Sequence, residues 1–156
     1  MSHQPSEEDA GQSLRDHVVA KAGDARRARG GVVDRAELFR LLDDRAVVRY
    51  PMGVRFDAEP LRPGEFACLQ PLGEHPRQGF CLFVHPMFEP DEALLPLIVA
   101  YFIPSVNYGD VATHVEAELF GSTLLGLDID EYYGLLCRAA DAVMQRGDGG
   151  GGCGPG

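Results

Sequence analysis

The sequence predicts an α+β domain: a small, mainly antiparallel β-sheet of about three strands, covered by N-terminal helices and by a C-terminal helical hairpin. Three observations predict it. Residues 13–42 and 111–144 carry apolar side chains at helical spacing behind recognisable cap signals. Residues 47–85 are rich in β-branched and aromatic residues punctuated by proline and glycine. A chain of 156 residues with 45% hydrophobic content has room for one core and therefore one domain.

In residues 13–28, Leu14, Val18, Ala22 and Ala25 recur at helical spacing, and Gly30-Gly31 stops the helix. Asp34-Arg-Ala-Glu37 then forms a capping box: the aspartate accepts from freed backbone N–H groups and the glutamate reaches back, ahead of Leu38, Phe39, Leu41 and Leu42. The next runs, 47–56, 65–69 and 79–85, read as three strands joined in sequence by short turns, an antiparallel meander. His75 lies in the loop between the last two and is expected to be solvent-exposed, and Pro86 holds His85 extended at a strand end. Residues 97–103 are apolar on every side, so periodicity leaves helix and strand open. Pro96 suits a helical first turn and tips the reading to helix, against the β-branched content and Pro104. Asp110 is expected to cap a helix over 111–125 closed by Gly126, and Asp128-Ile-Asp-Glu131 to open a final helix. That helix carries Ile129, Tyr132, Tyr133, Leu136, Cys137, Ala140, Val143 and Met144 on one stripe. The short link between the two helices makes them an antiparallel hairpin.

Residues 1–12 are nearly devoid of apolar side chains and residues 146–156 are dominated by glycine. Both are expected to be disordered tails around a single domain over 13–145. The N-terminal segment is polar and acidic where a secretory signal needs a basic then an apolar stretch, which points to a cytoplasmic protein. The uncharged run after Glu92 contains Pro96, Pro104, Asn107 and Gly109, so it reads as a core element and not as a membrane span.

The net charge of −10 is uneven, with seven acidic residues after Val111 (Glu116, Glu118, Asp128, Asp130, Glu131, Asp141, Asp148) against Arg138 and Arg146. Such a surface repels phosphate backbones, which argues against nucleic acid as a partner. The basic cluster Arg26-Arg27-Ala-Arg29 is short, has Asp16 and Asp24 nearby, and reads as a solvated helix end. Cys68, Cys81, Cys137 and Cys153 show no metal-ligand spacing. Cys81 and Cys137 read as core residues, and Cys153 as incidental to the glycine tail.

One grouping has the chemistry of a site. His114 and Glu118 are four residues apart, and at about 100° per residue they fall about 40° from each other on a helix. Val111, Val115 and Leu125 share their arc while Glu116 lies opposite, so the arc is expected to face the core or a cleft. A structural hydrogen bond or ion pair is the plainer use of the pair. The sharper one adds His85 as a third ligand for a zinc, iron or manganese ion, with an open position where bound water would act as a hydrolytic nucleophile. Glu65 and Tyr108 would then supply acid–base groups. No nucleophile elbow, phosphate-cradling loop or dinucleotide fingerprint is present. The expectation is a small soluble intracellular accessory or interaction protein, contacting a partner protein or itself. The alternative is a metal-binding protein using His85, His114 and Glu118, with a metal-dependent hydrolase as one form of it.

Overall fold

The computed structural model describes residues 7–150, with side chains described over 9–146. Helix α1 (Glu7–Ala28) buries the expected stripe of Val18, Ala22 and Ala25. Gly30 and Gly31 then take positive φ values of 77° and 88°, which glycine adopts without steric cost. The basic cluster serves that turn: Arg26 donates through Nε to the Gly31 carbonyl at 2.7 Å, Arg27 pairs with Asp24, and Arg29 pairs with Asp44 at 3.1 Å. The helix starts inside the segment expected as a tail, and the C-terminal helix also runs on to Gly150. The remaining tail residues, 1–6 and 151–156 with Cys153, lie outside the described residues.

Helix α2 (Arg35–Leu41) is capped by Asp34, whose Oδ1 accepts from the Glu37 N–H at 2.9 Å. The reciprocal half of the expected capping box is absent, because Glu37 pairs with Arg40 one turn on. The strands are β1 (Met52–Phe56), β2 (Ala67–Pro71) and β3 (Phe80–Val84). The fold is α+β as expected, but the sheet is mixed and the meander is not formed. β3 is central, antiparallel to β2 and parallel to β1, with Phe56 opposite Val84 and Val84 opposite Ala67. The most buried strand, carrying Cys81, Leu82 and Val84, takes the centre. Residues 57–66 must therefore cross the end of β3 to deliver β2 to its far edge. The crossing is stitched on both sides, by Asp57 N–H to the Val84 carbonyl at 3.1 Å and by His85 N–H to the Phe66 carbonyl at 2.8 Å.

Residues 97–103 are helical, within α3 (Leu94–Tyr108), which is almost wholly buried. Pro96 falls in its first turn, where no intrahelical N–H is needed, and Asp91 Oδ1 accepts from Leu94 N–H at 2.9 Å in place of a cap. The window Leu94–Val111 is long and apolar enough to cross a membrane by composition, and 56% of it is buried inside the protein. Asn107, also buried, accepts from Arg49 N–H and donates to the Val47 carbonyl, both at 2.8 Å, tying the approach to β1 onto α3.

Helix α4 (His114–Leu125) starts three residues later than expected. Asp110 sits in a 3₁₀ turn, and Thr113 is the cap: its N–H and hydroxyl both donate to Glu116 Oε1, at 2.7 and 2.8 Å. Gly126 closes the helix in the left-handed conformation, φ 71°, as expected. Helix α5 (Ile129–Gly150) returns against α3 and α4. Its buried line is Tyr132, Leu136, Ala139 and Val143, while Tyr133, Cys137 and Met144 are exposed. The expected single stripe is thus split lengthwise, and Cys137 is not a core residue.

Tyr132 crosses α4 to donate its phenol to the Leu97 carbonyl of α3 at 2.7 Å, and it passes where Gly121 has no side chain: a Cβ there would lie 2.1 Å from the phenol oxygen. Gly121→Ala is expected to destabilise the protein by about 1–3 kcal/mol through overpacking, measured by chemical unfolding. A change within experimental error would show that the close approach of α4 to Tyr132 is not a constraint.

Candidate functional site

The proposed metal ligands are not brought together. His85 lies at the end of β3, His114 is exposed at the start of α4, and Glu118 is half-buried in a groove against α5. Among the described residues no three His, Cys, Asp or Glu side chains gather closely enough to hold a metal ion. The reason is the phase of α4. Its buried residues are Glu116, Ala117, Phe120, Gly121, Ser122 and Leu124, so the arc expected to face the core points outward, with Val111 and Val115 exposed beside His114. Glu116, expected outside, is only 4% exposed because the capping box folds its carboxylate back over Thr113. Thr113-His-Val-Glu116 carries the S/T-x-x-E/Q pattern that signals such a box, and Asp110 is the decoy.

Two of the candidates do meet. His85 and Glu65 line one cleft of about 410 Å³, formed where residues 57–66 cross the end of β3 and face the last turns of α5. His85 is fixed by its own backbone: Nδ1 accepts from the Met87 N–H at 3.2 Å at the head of a 3₁₀ turn, and the ring meets Phe88 edge-on at 6.4 Å between centroids. That bond needs an unprotonated Nδ1, which leaves Nε2 as the donor. Burial lowers the His85 pKa from its ordinary value, and the nearby Arg146 charge lowers it further. Glu65 Oε1 accepts from the Arg62 N–H at 2.7 Å, closing the turn that presents both side chains. Arg62 and Arg146 complete the polar wall, with Leu61, Val143 and Met144 on the apolar one. Neither arginine was singled out from the sequence, since nothing local distinguishes them among thirteen and only the tertiary fold brings them to one cleft.

Tyr108 lines a different cavity of about 410 Å³, with Arg49 and Tyr50, so it is not an acid–base partner for Glu65. Its hydroxyl is buried without a hydrogen-bond partner among the described residues, and its ring meets His17 edge-on at 5.6 Å. Burial raises its pKa, partly countered by Arg49.

The second surface is the groove holding Glu118, about 170 Å³, lined by Phe66, Tyr101, Tyr133, Cys137 and Ala140. Burial raises the Tyr101 phenol above its ordinary pKa, and the Glu118 carboxylate beside it adds to the effect. The groove is apolar but for these groups, the Tyr133 phenol and the Cys137 thiol. No protein-family model, curated protein or solved structure matches the chain.

His114→Ala is expected to change stability by no more than about 0.5 kcal/mol, as for an exposed residue, whereas Glu116→Ala should cost about 1 kcal/mol through loss of the cap. Urea unfolding of the two variants checks the order, and the reverse order would refute the capping assignment. Because the folded His85 pKa lies below its unfolded value, the stability it contributes is present above the unfolded pKa and is lost as pH falls through the folded one. His85→Gln should therefore flatten the loss of melting temperature between neutral pH and mild acid. An identical pH profile in wild type and variant would contradict the lowered pKa.

Proposed function

We propose that this chain is a non-catalytic, intracellular accessory protein that binds a partner protein along α5. The observation that carries the proposal is the unburied half of the α5 stripe. Tyr133 and Met144 are 54% and 51% exposed, with Cys137 and Ala140 between them on successive turns, beside the groove of Phe66 and Tyr101. Single exposed apolar residues are ordinary on any surface, but a contiguous row bordering an apolar groove is the mark of an interaction site. Aromatic and methionine side chains suit it, because they bring large contact areas and adapt to a partner's shape.

Charge defines the partner. On the helical wheel Asp130 and Asp141 border the outer edge of the row, and Glu118 lines the groove on the inner side. A helix or strand with an apolar face flanked by lysine or arginine complements that rim. A second copy would set the same carboxylates against each other on chains that each carry −10.

Two helical peptides with the same apolar face, one flanked by lysine and one by glutamate, test the reading by fluorescence anisotropy. The lysine peptide should bind, weaken with added salt, and slow alkylation of Cys137. Tyr133→Glu should weaken it at least tenfold with an unchanged melting temperature. Binding of neither peptide, equal binding of both, or concentration-dependent dimerisation that protects Cys137 would overturn the proposal.

A further inference from the structure

We infer that the cleft at the end of β3 is a binding site for a small organic oxyanion, a carboxylate or phosphate group carried on a short apolar body. Three elements supply its polar groups: Arg62 from the crossover, His85 from the end of β3 and Arg146 from α5. Neither guanidinium forms an ion pair among the described residues, on a chain with ten more acidic than basic side chains. What sets these two arginines apart is placement: both line the cleft that also holds the His85 imidazole, and Arg146 lies close enough to His85 for its charge to act on the ring. The single carboxylate lining the cleft among the described residues, Glu65, has one oxygen committed to the Arg62 backbone and offsets only one of the two charges.

The donor set defines the headgroup. A guanidinium presents paired N–H donors that match two oxygens of a carboxylate or phosphate, and His85, held by the Met87 N–H at Nδ1, adds the N–H of Nε2. A metal cation is excluded as the occupant by two fixed positive charges and an imidazole whose Nδ1 is already engaged. Leu61, Val143 and Met144 supply apolar lining, and a cleft of about 410 Å³ lies within the range of small-molecule sites. Gly64 lets Met144 come close: it takes φ 86°, and a Cβ on it would lie 2.7 Å from the Met144 sulfur. The site binds by local contact, since the overall field of the chain repels anions.

The test is an NMR titration of isotopically labelled full-length protein with phenyl phosphate, following the His85 imidazole and the arginine side-chain signals. Inorganic phosphate, benzoate and sodium chloride serve as comparison titrants at matched ionic strength. Saturable shifts at His85 with phenyl phosphate or benzoate are expected, and Arg62→Gln and Arg146→Gln should each weaken binding roughly tenfold. Both arginines are exposed, so the variants should keep the wild-type melting temperature. Shifts that sodium chloride reproduces, or affinities untouched in both variants, would overturn the site. Inorganic phosphate binding as tightly as phenyl phosphate would overturn the organic body.

Discussion

The packing of the helices depends on one side chain reaching through a gap. Tyr132 is fully buried, and its phenol would be expensive to bury unpaired, so its position is set by the Leu97 carbonyl it reaches at 2.7 Å. The path runs past Gly121, where any side chain would collide with the ring. Three helices are thereby registered at once, α5 supplying the donor, α3 the acceptor and α4 the gap. Burial moves the Tyr132 phenol well above its ordinary pKa, so it stays a neutral donor. The rotation of α5 follows from this contact: with Tyr132 inward, the residue after it, Tyr133, and those one and three turns further on, Cys137 and Met144, face out.

That rotation is why the final helix has two apolar faces and buries only one of them. Tyr132, Leu136, Ala139 and Val143 use up the surface that α3 and α4 offer. Tyr133, Cys137 and Ala140 border a groove whose far wall is Phe66 and Tyr101, and Tyr133 and Cys137 stay exposed. The cleft begins about one turn further along the same helix, at Val143, and depends on a different constraint, the passage of residues 57–66 over the end of β3. Placing β3 between β1 and β2 requires that crossing, and the crossing brings Arg62 and Glu65 to His85.

Much of the local structure was legible because it rests on local chemistry. Asp34 and Gly126 act as helix boundaries wherever the chain goes, since they satisfy or release backbone groups within a few residues. Pro86 likewise leaves His85 at the end of its strand. The misplaced start of α4 is also local: two competing caps, Asp110 and Thr113, lie three residues apart, and the reciprocal bonds of Glu116 decide for the second. The side of α4 that packs is a tertiary matter: Ala117, Phe120, Gly121 and Leu124 face inward, which leaves His114 exposed and apart from His85.

By itself the sequence determined most of the helical and extended segments, though not the run 97–103 or the outer ends of the first and last helices, and that the fold is α+β with an amphipathic final helix. These follow from spacing, capping and hydrophobic content, which act over a few residues. Only the tertiary structure decided that β1 runs parallel to β3, that half of the α5 stripe stays uncovered, and that Arg62, His85 and Arg146 share a cleft. Those outcomes depend on which surfaces meet across the fold, and residues 62, 85 and 146 carry no mark in the chain of their final proximity.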